Sequence, residues 1–287
     1  MRAQVECVWP AGAQLGESPC WDHRSRRLFW VDIKAGTLHA LNAEDDIREI
    51  WEPPVRICSI DVPPPGWPTP ENLQGLPFVC CGDAGFGWLG VGQDEVEVLG
   101  VVHPEATLSG NRFNDGKLGP DGRYWAGTMD DSEEESSGSL YAFRPDGRFD
   151  TLDGGYLVTN GPAFSPDGSV VYHSDSARQV IYAFDLGADG VLRDKRDFAR
   201  FGAGEGYPDG MTTDPEGNVW VALWNGGRVL KLAPDGTRLD AVAIPTRNPT
   251  SCVFTSHDPA EMYVTSAGGG SSHGDLAGGV FRVRLDV

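Results

Sequence analysis

The feature that most constrains this chain is a unit that recurs along nearly its whole length. It is clearest in YPDGMTTDPEGNVWVALWNGGRVLKLAPDG (207–236), where short apolar segments alternate with the turns PEG, NGG and PDG. Glycine takes the positive φ such turns need, and proline presets their first corner. The segments are rich in β-branched and aromatic residues, as half-buried strands are. Aromatic-rich strands of the same kind recur as LFWVDI (28–33), FGWLGVG (86–92), RYWAGTM (123–129), VVYHSDS (170–176), NVWVALW (218–224) and MYVTSA (262–267). Each is followed by another strand. Most are preceded by a short strand that ends in a Pro/Asp/Gly turn, as in GPAFSPDG and GMTTDPEG; the second unit's equivalent is RICSID (56–61). A period of about 40–50 residues with four strands per unit is the pattern of a β-propeller.

Six such units fit 287 residues, so the expected fold is an all-β, six-bladed β-propeller of four-stranded antiparallel blades, one domain spanning 1–287. A β-sandwich is the alternative architecture, but it does not require six similar units. The last unit lacks a fourth strand, which the alternating QVECVW (4–9) can supply, closing the ring and leaving no open edge. Residues 63–70 are proline-rich and read as loop. Apolar spacing of the helical type is missing from any long stretch, so helices should be few. Trp30, Trp125 and Trp220 recur on these strands and are expected in the blade cores.

The net charge is −19. Nucleic acid and anionic membranes would be repelled, so neither is an expected partner, and an acidic field favours cations. Six scattered cysteines, with Cys80 and Cys81 adjacent, suit buried thiols in a reducing compartment better than a disulfide framework. No apolar run is long enough for a signal peptide or a membrane span, and a cytoplasmic protein is expected, plausibly a monomer.

In a propeller the first strand of every blade lines the central channel, so equivalent positions of distant units meet there. At that position stand Glu17 in LGESPCWD, Arg56 and Ile57 in the second unit, and Arg112, Asn114 and Asp115 in GNRFNDGKLGPDG. Asn160 in TNGPAFSPDG, Asp209 in YPDGMTTDPEG and Thr250 in NPTSCVF complete the set. Glu17, Asn160 and Asp209 bring two carboxylates and an amide oxygen to one level, with Arg112 and Asn114 beside them. Hard oxygen donors of this kind suit a divalent cation. Without one, the two carboxylates would repel and a pKa would have to rise. Asn-Gly and Asp-Gly are ordinary turn formers when taken singly; the recurrence of position is what sets these apart.

The stretches LGESPCWD, NRFNDGKLGPDGRYWAGTM, TNGPAFSPDG and YPDGMTTDPEGNVWVALWNGGRV, in this order, resemble the family of senescence marker protein (regucalcin), gluconolactonase and the luciferin-regenerating enzyme. Within it, NGPAFSPDGSVVYHSDS is most similar to bacterial sugar-acid lactonases of the xylonolactonase type. The resemblance implies a six-bladed propeller with one divalent metal in the channel: Ca2+ foremost, with Zn2+, Mg2+, Mn2+ or Fe2+ also compatible. It places the metal ligands on Glu17, Asn160 and Asp209, and substrate contacts on Arg112 and Asn114. Some members also use a glutamate just after the GTM segment, which would fall within DDSEEE (130–135).

The expected activity is metal-dependent hydrolysis of a sugar lactone such as xylono-, arabino-, galactono- or gluconolactone, with Asp209 as general base. The alternatives are a related esterase or phosphotriesterase and a non-catalytic cation-binding propeller. Two further signals are set aside. Gly270-Ser271-Ser272-His273-Gly274 matches the letters of a nucleophile elbow but lacks its strand–turn–helix setting. His173, beside Asp175 on an aromatic strand, reads as a hydrogen-bonded core histidine.

Overall fold

In a computed structural model, residues 2–107, 110–255, 260–268 and 276–286 are described. Their twenty-four strands form six four-stranded antiparallel sheets, each built from strands consecutive in sequence except the last. The first blade consists of Gly16–Asp22, Arg27–Asp32, Thr37–Asn42 and Ile47–Trp51. The inner strands of the next five are Ile57–Asp61, Asn111–Leu118, Thr159–Phe164, Tyr207–Thr213 and Pro249–Phe254. Each inner strand packs against its two neighbours around the ring, the sixth against the first. The protein is therefore a six-bladed β-propeller, and no helix occurs among the described residues.

The ring closes as the alternating N-terminus suggests. Ala3–Trp9 pairs antiparallel with Val280–Leu285 and forms the outer strand of the sixth blade. Trp9 is buried and meets Trp30 of the first blade edge-on, with ring centroids 4.9 Å apart. Closure thus ties the two ends of the chain together through both backbone pairing and aromatic packing.

The turns hold as their sequences require. The aspartates of the Asp-Gly turns accept an N–H two residues on: Asp121 from Arg123, Asp167 from Ser169, Asp189 from Val191 and Asp235 from Thr237. The side chain thereby closes the turn that the following glycine opens. Trp30, Trp125 and Trp220 are buried to within 1% of full enclosure. Trp125 and Trp220 donate their indole N–H groups to Asp121 and Asp214, which anchors these rings to the turns below them.

Two expectations need correction. In the second blade the strand after Ile57–Asp61 is Leu76–Gly82, and FGWLGV belongs to the third strand, Gly85–Val91. The proline-rich segment before Leu76 displaces the aromatic-rich strand by one place, so the repeat aligns one strand too late there. His173 is fully buried, as a core residue should be, but neither ring nitrogen has a hydrogen-bond partner among the described residues. It packs edge-on against Tyr156 instead, and burial pushes its pKa down to about 3, so the ring is neutral. The stretch 270–274 lies outside the described residues.

Candidate active site at the propeller hub

Each inner strand carries an irregularity near its start. The register with the second strand shifts between Glu17 and Cys20, Ile57 and Ser59, and Phe113 and Gly116. It shifts again between Asn160 and Ala163, Pro208 and Met211, and Pro249 and Ser251. Bulges of this kind re-aim a side chain out of the alternating pattern. Asp209 and Asn114 lie inside these interruptions, and Glu17 and Asn160 border them. Asp209 is therefore part of its strand, not a residue just ahead of it. Ser18, next to Glu17, has a φ of 50°, and Gly161, next to Asn160, a φ of 80°. Both values lie in the left-handed region, which glycine adopts most readily.

The result is one cavity of about 460 Å3 at the hub, and Glu17, Arg112, Asn114, Asn160 and Asp209 all line it. They come from four blades. Arg56 is not among its lining residues; its guanidinium pairs with Asp83 and Asp131. Thr250 is buried and donates its hydroxyl to the carbonyl of Gly16, joining the sixth blade to the first.

The hydrogen bonds orient these groups. Asn160 donates its amide N–H to Ser176 Oγ at 2.8 Å, and Ser176 donates to the carbonyl of Pro208 at 2.6 Å. That leaves the Asn160 amide oxygen for the cavity, where it accepts from Asn114 Nδ2 at 3.1 Å. Asn114 Nδ2 also donates to the carbonyl of Thr159, and Asn114 Oδ1 accepts from Arg112 Nη1 at 2.6 Å. Asn114 is thus a bridge between Arg112 and Asn160. Arg112 Nε donates to Asp131 at 2.5 Å. Among the described residues, its Nη2 alone is left without a protein partner.

The electrostatics are those of crowded, unneutralised acids. Glu17 and Asp209 are 4% and 5% exposed. Burial pushes both carboxyls well above the usual range, and repulsion adds to it: Asp209 and Asp115 act on Glu17, and Asp115 and Glu133 act on Asp209. Asp115 is a third buried acid. It accepts from the backbone N–H groups of Gly116 and Gly161, and burial lifts it to about 6. Among the described residues no three Asp, Glu, His or Cys side chains gather as a metal-binding group. A cation here would be held by two carboxylates and an amide oxygen. That donor set fits a hard divalent ion, which would relieve the repulsion that raises these pKa values.

The cavity also recruits residues outside the predicted set. From the run 130–135, Glu133 is the carboxylate that lines it, whereas Asp131 holds Arg112. Lys34 reaches it from the turn between the second and third strands of the first blade, Trp224 from the end of the strand Val219–Trp224, and Tyr207 from the start of the fifth inner strand. Asp115 is one of the channel positions read from the repeat, beside Asn114. Lys34 and Ser176 carried no signal, since rim turns differ between blades.

The fold and the hub cavity together define an acidic six-bladed propeller with an oxygen-donor pocket at one end of its channel. Residues 15–268 match the family model described as SMP-30/gluconolactonase/LRE-like region, and the chain belongs to this family. It is 36% identical to the 6-deoxy-6-sulfogluconolactonase of Pseudomonas putida, over all of this chain and 97% of that protein. The structure of a luciferin-regenerating enzyme superposes with a TM-score of 0.88 at 30% identity, covering 99% of this chain and 96% of that one. The calcium-binding protein regucalcin of Agrobacterium tumefaciens gives 0.84 at 25% identity, covering 96% and 92%.

Proposed function

We propose that this protein is a cation-dependent sugar lactonase. Family membership makes it a carboxylic-ester hydrolase of the gluconolactonase type. The observation that carries the finer reading is the convergence of Glu17, Arg112, Asn114, Asn160 and Asp209 on one cavity, with its two acids buried and mutually repelling. Six unpaired cysteines fit the cytoplasmic location expected of it.

A lactone is a cyclic ester, so its hydrolysis needs charge stabilisation at the carbonyl oxygen, an activated water and a proton for the departing ring oxygen. Glu17, Asn160 and Asp209 would hold the divalent cation, Ca2+ foremost, which supplies a Lewis acid at the carbonyl oxygen. Ser176 and Asn114 fix the Asn160 amide so that its oxygen faces the cavity. Asp209 takes a proton from the attacking water and returns it to the ring oxygen, giving the open hydroxy acid. Arg112 Nη2 donates to a sugar hydroxyl while Asn114 and Asp131 hold the guanidinium in place. Glu133, opposite in charge to Arg112, offers an acceptor to a second hydroxyl.

Leu15, Met129, Val158, Tyr207 and Trp224 give the cavity an apolar side, which favours keeping an aryl-ester substrate as a second reading. The test is a panel of aldonolactones beside an aryl ester, assayed with and without chelator, with metal analysis of the purified protein. Lactone turnover that chelation abolishes and a divalent ion restores is expected, and Asp209→Ala should lose about 1,000-fold or more while folding normally. Turnover insensitive to chelation, or retained in Asp209→Ala, would refute the reading.

A further inference from the structure

The geometry points to Lys34 as a specificity-determining residue that recognises an anionic substituent at the end of the substrate remote from the reacting carbonyl; this rests on the lactonase reading above. The protein has four lysines. Lys117 donates to the carbonyl of Met211, Lys195 pairs with Asp153 and Lys231 with Asp214. Lys34 is exposed, lines the hub cavity, and has neither a hydrogen-bond acceptor nor an acid within ion-pair distance among the described residues. The cavity's other cation, Arg112, is committed to Asp131 and Asn114. Lys34 is thus the cavity's unengaged cation.

Its backbone is held firmly. Lys34 sits in the turn between Arg27–Asp32 and Thr37–Asn42. Buried Asp32 accepts the N–H groups of Gln14 at 2.7 Å, Leu15 at 3.0 Å and Ala35 at 3.1 Å. The same carboxylate therefore ties the Lys34 turn to the segment leading into Glu17. The Lys34 backbone is held, and its four-carbon stem leaves the ammonium free to reach a ligand. Lys34 shares one cavity with Glu17, Asn160 and Asp209, so a lactone whose carbonyl is held at those residues can present its exocyclic tail to the ammonium. In a chain of net charge −19, an anionic tail is repelled at long range, and a fixed cation at the mouth is what makes its entry favourable. A carboxylate, sulfonate or phosphate shares this chemistry.

The experiment compares kcat/KM for six-carbon lactones that differ only at the terminal carbon, as hydroxymethyl, carboxylate or sulfonate, in the wild type, Lys34→Met and Lys34→Arg. The wild type should favour an anionic lactone by about tenfold or more, the worth of one charge-assisted hydrogen bond. Lys34→Met should collapse that ratio, Lys34→Arg should keep most of it, and added salt should narrow it. A wild-type ratio at or below one, or a ratio unmoved in Lys34→Met, overturns the assignment. If neutral lactones are hydrolysed with an unmoved ratio, the Lys34 inference alone falls. If no lactone is hydrolysed with any divalent ion supplied, the lactonase reading falls and this inference with it.

Discussion

Ser176→Ala is the most informative single change, because Ser176 contacts the proposed cation site only through another residue. Its hydroxyl accepts from Asn160 Nδ2 at 2.8 Å and donates to the Pro208 carbonyl at 2.6 Å, linking the fourth blade to the fifth. Ser176 is 7% exposed and Asn160 4%. Removing the hydroxyl strands one donor and one acceptor. Each buried unsatisfied group costs about 1–3 kcal/mol, but Ser176 borders the cavity and water can re-enter there, so the lower end applies. A net loss of about 1–2 kcal/mol follows, a fall in Tm of only a few degrees for a chain of this size. The functional effect should be larger, because Asn160 loses the bond that aims its oxygen into the cavity. Loss of such an orienting partner typically weakens metal binding by about 10–100-fold. Cation affinity by calorimetry, beside lactone turnover at saturating cation, separates the two effects. Affinity should fall while turnover at saturation largely recovers. Unchanged affinity in a folded Ser176→Ala protein would refute both the orientation argument and the place of Asn160 among the ligands.

Three further outcomes are expected. Glu17, Asp115 and Asp209 have raised pKa values, so the folded chain keeps protons that the unfolded chain sheds. Their contribution to cation-free stability is present below the ordinary carboxylate range and is lost as pH rises, for Asp115 between about 4 and about 6. The Tm increment given by Ca2+ should therefore grow from pH 5 to pH 8, and a constant increment in scanning calorimetry would count against the clustering. A Cβ at Gly210 would stand 2.1 Å from Ser251 Oγ and 2.4 Å from its Cβ, so Gly210→Ala should destabilise by about 1–3 kcal/mol or more, and Ser251→Gly in the same chain should recover much of it. Removing residues 1–9 exposes the Val280–Leu285 edge. The truncated protein should aggregate or unfold in a broadened transition, and adding a peptide of that sequence should restore solubility; a monomeric, cooperatively folding truncation would contradict the role given to ring closure.

The sequence made the ring legible because each blade repeats the same physical solution: an aromatic-rich strand, an Asp-Gly turn and a partner strand. Where one blade departs from it, the reading slipped. Residues 63–75 insert a proline-rich loop before Leu76–Gly82, and the more aromatic FGWLGV was aligned in place of LPFVCCG. The hub was legible for a related reason. Glu17, Asn114, Asn160 and Asp209 occur where the inner strands break register, so one local geometry marks these four candidate positions. Lys34, Glu133 and Ser176 lie on rim turns, whose lengths and compositions differ from blade to blade, and no repeat could single them out.

That division has a functional consequence. The bulged strands present two acids and an amide within a framework of backbone pairing, and Asn114 and Ser176 hold the amide with hydrogen bonds of their own. Groups fixed this way suit a reaction centre, where small displacements are costly. The rim side chains are more open to solvent: Lys34 and Glu133 are exposed, and Tyr207 is 39% exposed. Changes there alter charge and shape at the mouth without moving Glu17, Asn160 or Asp209. For the proposed lactonase, substitutions at the rim should change selectivity between lactones far more than the affinity for the cation.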